Sequence, residues 1–172
     1  EEAEAALWQR TLELDPNHVL ARFLIKVVPY TCSPVSPAVI EDLVAFDAAI
    51  SPDNPVRWVT QYWISRLHLN NNSLDAALDA VRRSDHIFRS PDSVYQLAAI
   101  LVQLGNVQEA VAEIERQRTS WPNLDPRHYA DVTIPRRCGD APASAFLRRA
   151  YGALADAVDA APAGGAPSPR TP

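Results

Sequence analysis

The stretch Ser90–Pro122, S-P-D-S-V-Y-Q-L-A-A-I-L-V-Q-L-G-N-V-Q-E-A-V-A-E-I-E-R-Q-R-T-S-W-P, constrains the fold more than any other part of the chain. Ser90 can cap a helix that has Pro91 pre-set in its first turn, and Val94, Leu97, Ala98 and Leu101 recur on one face at spacings of three and four. Gly105 ends that helix, because glycine enters the left-handed region that a helix C-terminus needs. Asn106 with Glu109 three residues on makes an imperfect capping box for a second helix, whose inner face is Ala110, Val111, Ile114 and Gln117. Pro122 closes it. Two short amphipathic helices joined by so tight a turn read as one module of a stack.

In this order, small Ala98, Gly105 at the turn, small Ala110, bulky Ile114 and Pro122 resemble the signature of the tetratricopeptide repeat (TPR). The run Ala6–His18, A-L-W-Q-R-T-L-E-L-D-P-N-H, resembles the second helix of such a repeat followed by its closing proline. The resemblance implies an all-α fold, a right-handed α-solenoid of antiparallel helix pairs, that serves as a scaffold binding a protein or peptide and uses no cofactor. A second helix at Glu1–Leu14 lacks its own first helix, so Ala6, Leu7 and Trp8 are expected to expose apolar area, and the chain is expected to be part of a longer one.

Several further segments carry helical spacing. His18–Val28 places Leu20, Phe23, Leu24, Val27 and Val28 on a helix stopped by Pro29. The proline-rich run Pro29–Ser36 then replaces the short turn of the family pattern. Ser36 is expected to cap, and Pro37 to open, a helix to about Ile50 through Val39, Ile40, Leu43, Val44 and Phe46. Pro16 and Pro52 stand 36 residues apart and Pro52 and Pro122 stand 70 apart, close to one and two repeats of ~34 residues. Pro55–Leu69 is an aromatic-rich first helix, Asn70-Asn71-Asn72 is its turn, and Ser73 starts a helix through Leu74, Ala77, Leu78 and Val81.

The resulting division is TPR-like repeats over 1–122, an irregular proline-rich connector over 123–143, a capping helix over 144–160 and a flexible tail over 161–172. Pro126, Pro135, Pro142 and Gly139 break the connector. Phe146, Leu147, Ala150, Tyr151, Leu154 and Val158 give the last helix one apolar face, suited to covering the end of a stack.

Composition excludes several functions. The 172 residues are 47% apolar with net charge −5, enough for a core of stacked helices and unfavourable for nucleic acid or anionic membranes as partners. No apolar run approaches the ~20 residues of a membrane span, so direct membrane insertion is not expected. His18, His68, His86 and His128 fall in separate elements with no metal-ligand spacing. Asp85-His86 and His128-x-x-Asp131 could each orient an imidazole, yet neither accompanies a nucleophile motif, and ordinary helix-end polarity explains both. Neither a catalytic nor a metal site is expected.

Cys32 and Cys138 lie in irregular, proline-containing segments. Two cysteines carry no framework pattern, so the expectation is two unrelated thiols, with a disulfide in an oxidising compartment as the alternative. Either a cytoplasmic or a periplasmic location stays open.

The resemblance also places a groove on the outward faces of the first helices, with Phe23, Gln61, Ser65, His68, Tyr95, Ala99 and Val102 as candidate partner-binding residues. The basic, asparagine-rich clamp of some family members for acidic C-terminal peptides has no counterpart at these positions. A second possibility is an accessory extracytoplasmic domain of a larger bacterial membrane enzyme of the O-antigen ligase or polymerase type, which the Ala/Arg-rich style loosely resembles.

Overall fold

The computed structural model describes residues 2–161, and among these the chain is helical with no strand. The helices are α1 (Glu2–Leu14), α2 (Val19–Val27), α3 (Pro37–Ala48), α4 (Arg57–Asn70), α5 (Leu74–Ile87), α6 (Pro91–Gln103) and α7 (Val107–Gln117). The short α8 (Pro126–His128), a π-helical turn (Tyr129–Thr133) and α9 (Ile134–Cys138) follow, and α10 (Ser144–Ala160) ends the described fold. The tail expected over 161–172 lies outside the described residues from 162 onward.

Successive helices pack on one another. The most extensive pairings are α4 with α5 and α6 with α7, α5 joins the two pairs by packing on α6, and the result is an all-α solenoid. One core cluster runs through α2–α5 around Phe23, Val27, Leu43, Ile64, Leu67 and Ala80. A larger one fills the space between α5, α6, α7 and the C-terminal helices. Helix α10 packs on both α6 and α7 and covers the end of that pair.

The two helix pairs turn in the same way. Asn72 and Gly105 both take positive φ, +57° and +83°. Around each, the next residue donates back five positions, Ser73 N–H to His68 C=O at 2.8 Å and Asn106 N–H to Leu101 C=O at 2.8 Å. The left-handed residue itself donates back three, to Leu69 and to Val102. These are paired Schellman closures, and they need glycine or asparagine at the left-handed position. The repeat is thus written in backbone geometry at positions where the residues differ.

Capping follows the expectation at Ser90 and departs from it elsewhere. Ser90 Oγ accepts from Ser93 N–H at 3.1 Å, and Ser93 Oγ accepts from Ser90 N–H at 3.0 Å, a complete capping box. The boundary residues Ser36, Ser73 and Asn106 make no side-chain cap. Their helices rest on tertiary packing rather than on the local bond.

Two expected irregular stretches are ordered. The segment 123–143 is helical from Pro126 to Cys138. Pro126 opens the run, where the missing N–H costs no bond, and Pro135 follows closely on the π-helical turn Tyr129–Thr133, a local irregularity of the hydrogen-bond ladder. The loop before α3 is held by the asparagine run. Asn70 Nδ2 donates to the carbonyls of Tyr30, Thr31 and Ser33 at 3.1–3.2 Å. Asn71 exchanges two bonds with the Val35 backbone at 2.8 and 2.9 Å.

Cys32 and Cys138 form a disulfide, which corrects the expectation of two unrelated thiols. Loop packing carries the two residues together from 106 positions apart, and no local pattern records such a meeting. At the front, Leu7 and Leu14 are 58% and 75% exposed while Trp8 packs against the α2–α4 core.

The assigned faces are testable at the α6 packing surface. Ala98 is fully buried and Gln103 half-buried. Ala98→Trp should overpack the helix crossing and cost about 1–3 kcal/mol, with Gln103→Trp near neutral. Equal losses in urea denaturation would refute the assignment.

Candidate functional site

Of the seven candidate groove residues, Phe23, Gln61, Ser65, Tyr95 and Ala99 are buried, and only His68 and Val102 are half-buried. They do not form an open groove. Phe23 meets Phe46 with ring centroids 5.7 Å apart. Gln61 Nε2 donates to Asp47 Oδ2 at 2.7 Å while its Oε1 accepts from Arg83 Nε at 2.8 Å. Ser65 Oγ donates to the Ala77 carbonyl at 2.7 Å and accepts from Gln96 Nε2 at 2.8 Å. Tyr95 stacks on Tyr129 at 4.4 Å and accepts from the Asp125 N–H at 2.7 Å. Burial first, and then nearby Arg83, hold the His68 imidazole below its ordinary value, so it is neutral at pH 7.

Phe23, Gln61 and Ser65 are engaged by α3, α5 and α6. The elements beyond α7 cover only the α6 part of this set, where Tyr129 continues from Tyr95 to Tyr151 of α10, 4.9 Å from the latter. Tyr151 Oη in turn accepts from Nη1 of Arg66, which is 1% exposed, at 2.9 Å. Burial pushes the Tyr62, Tyr129 and Tyr151 phenols up, so they stay neutral.

Sequence reasoning missed Asp47, Arg66, Asn70 and Gln96, all buried. A signal existed for two of them. Asp47 continues the Ile40–Leu43 stripe at a spacing of four, and Arg66 follows Tyr62 by four on α4, so each puts a charge on an inward face where an isolated ion is costly.

Asp47 shows how such a charge is accommodated. It accepts from Arg57 Nη2 at 2.8 Å, from Gln61 Nε2 at 2.7 Å and from the Thr60 hydroxyl. Burial alone would raise its carboxyl, but the three donors outweigh it and hold the group below the usual 3.8. A depressed carboxylate contributes stability above its unfolded value and loses it as pH falls through the folded one. Wild type should therefore lose stability below about pH 4, and Asp47→Asn should lose less over that interval. Parallel acid-unfolding profiles would refute this.

Two surface depressions among the described residues are large enough to hold a side chain. One, of about 480 Å³, lies between α2 and α3 against Ile25, Pro29, Tyr30, Val39 and Leu43, and its Lys26 and Asp42 already neutralise each other at 2.7 Å. The other, of about 430 Å³, lies between α4 and the 126–138 helices and is lined by Thr31, Trp63, His128, Val132, Thr133, Arg136 and Arg137. The disulfide and Asn70 fix its walls, because Thr31 adjoins Cys32 and Arg137 adjoins Cys138. Asp85 accepts from Arg89 at 2.9 Å, and among the described residues no hydrogen bond joins it to His86. No helix among the described residues is long and apolar enough to cross a membrane.

A family model described as anaphase-promoting complex, cyclosome, subunit 3 matches residues 43–117. No curated protein and no solved structure matches the chain. The matched span runs from within α3 to the last residue of α7, and so contains both Schellman-closed pairs. Residues 43–117 are a tetratricopeptide-like helical repeat.

Proposed function

We propose that this chain is a non-catalytic scaffold that holds a protein or peptide partner, with residues 1–122 as the repeat body and the elements after residue 122 as its cover. The observation that carries the reading is the repeat itself, whose polar side chains are spent on joining helices. Asp47, Gln61 and Arg83 link α3, α4 and α5, and Ser65 with Gln96 links α4 to α6. Groups committed to such bonds hold a shape, and the surfaces left over are the means of recognition.

Those surfaces are the α4 cleft and the apolar ridge where Phe88, 53% exposed, lies 5.1 Å from Trp58. A photoreactive amino acid placed at Val132 or Phe88 in the full chain should crosslink a discrete protein in cells, and the same probe at exposed Arg149 on α10 should not. Absence of a discrete product from both positions would sink the scaffold reading.

The disulfide favours a second reading, an accessory extracytoplasmic domain of a larger bacterial membrane enzyme of the O-antigen ligase or polymerase type, because such bridges persist in oxidising compartments. In intact cells a membrane-impermeant maleimide should label both cysteines only after reduction. Labelling only after lysis would place the domain in the cytoplasm and remove this reading.

A further inference from the structure

The cleft between α4 and the 126–138 helices carries unpaired positive charge in a chain whose net charge is −5. Half of the described arginines are ion-paired, as Arg57 is with Asp47, Arg89 with Asp85 and Glu113, and Arg127 with Asp156 and Asp159. Among the described residues Arg136 and Arg137 make no ion pair, and both are exposed on one wall of the cleft.

A third guanidinium stands behind them. Arg66 is one helical turn on from Trp63, is fully buried, and has no hydrogen-bond partner on Nε or Nη2. Arg137 lies within electrostatic reach of Arg66, and the acid that both feel is Asp92, which already accepts from the Tyr129 hydroxyl at 3.3 Å. One engaged carboxylate lies near both Arg66 and Arg137. Low-dielectric walls strengthen the field of these guanidinium groups and leave them short of an anion.

The rest of the lining narrows the ligand. Trp63 gives a flat apolar wall for a short aliphatic stem, and Thr133 adds a hydroxyl at the mouth. Adjacent arginines at a cleft of this size suit a planar carboxylate, which takes charge-assisted bonds from guanidinium groups. We propose that this cleft is a carboxylate-binding pocket that receives a glutamate or aspartate side chain of an extended, acidic partner segment. The proposal rests on the scaffold reading for the peptide nature of its ligand. The disulfide and the Asn70 bonds hold the Thr31 wall against the Arg137 wall before binding, so little ordering is lost on association.

The test titrates the disulfide-bonded full chain with a hexaglutamate peptide, read by tryptophan fluorescence with Trp63→Phe as the reporter control. Saturable binding is expected, weakening as salt rises and losing roughly tenfold for each arginine removed in Arg136→Gln and Arg137→Gln. Both arginines are exposed, so the variants should keep the wild-type melting curve. Arg148→Gln/Arg149→Gln, which removes two exposed arginines of α10, should bind as wild type. Absence of saturable binding, or equal losses in the two double variants, would overturn the pocket. Saturation by inorganic phosphate that hexaglutamate does not displace would overturn the peptide assignment in favour of a small anion. A protein crosslinked at Val132 that stays bound in Arg136→Gln/Arg137→Gln would overturn the pocket while leaving the scaffold standing.

Discussion

Removing the Cys32–Cys138 bridge is expected to cost the fold about 2–5 kcal/mol. The bridge closes a loop across 106 positions, and cross-linking ~100 residues withdraws about 4.7 kcal/mol of chain entropy from the unfolded state at 25 °C. The native state is also arranged around it. Both cysteines are buried, and the Cys32 carbonyl accepts from the Ala143 N–H at 3.0 Å, so the bridge ties the loop before α3 to the elements that lead into α10. Cys32→Ser/Cys138→Ser should unfold at lower urea and melt roughly 4–20 °C below wild type. Native protein should show no thiol to a maleimide reagent even in denaturant, and two after reduction. A double variant that melts with wild type would show that the bridge contributes nothing to stability, whatever its labelling.

Asp47→Ala is expected to be the most damaging single side-chain truncation in the repeat, at about 3–5 kcal/mol. The loss comes from what remains. Gln61 keeps a buried donor without an acceptor and loses the contact that orients it toward Arg83, while the Thr60 hydroxyl retains the Arg57 carbonyl at 3.0 Å as its acceptor. Arg57, about a quarter exposed, keeps access to water and contributes less. Asp47→Asn preserves the shape but turns one acceptor into a donor, so it should fall between alanine and wild type. Asp42→Ala, which breaks the exposed pair with Lys26, should cost about 0–1 kcal/mol. Denaturant midpoints in the order Ala, Asn, wild type support the network; a loss below about 1 kcal/mol for Asp47→Ala would show that it does not hold α3 to α4.

The features legible without coordinates are those set by neighbours in the chain. Apolar residues three and four apart mark α6, α7 and α10 because a helix returns to the same face at that interval. Gly105 and Asn72 mark turns because few other residues accept positive φ. The proline intervals mark a repeat because each helix pair must end before the next can stack.

The burial of the candidate groove residues has a different kind of cause. Tyr95 is covered by Tyr129, 34 residues on, which packs in turn on Tyr151. Gln61 is engaged by Asp47 and Arg83, and Ser65 by the Ala77 carbonyl and Gln96, all from other helices whose approach no periodicity within α4 records. Proline in 123–143 signalled a broken segment, whereas Pro126 opens a helical run and Pro135 is accommodated within it just after the π-helical turn.

The amino-acid sequence by itself determined that this chain is a stack of antiparallel helix pairs, since periodicity, turn residues and closing prolines act over one or two turns of backbone. Tertiary structure alone decided which outward faces stayed outward, which cysteines met, and where Arg136 and Arg137 face Trp63. Those outcomes depend on contacts between residues far apart in the chain, whose free energy is settled by burial and pairing in the assembled fold and leaves no periodic trace in the order of the residues.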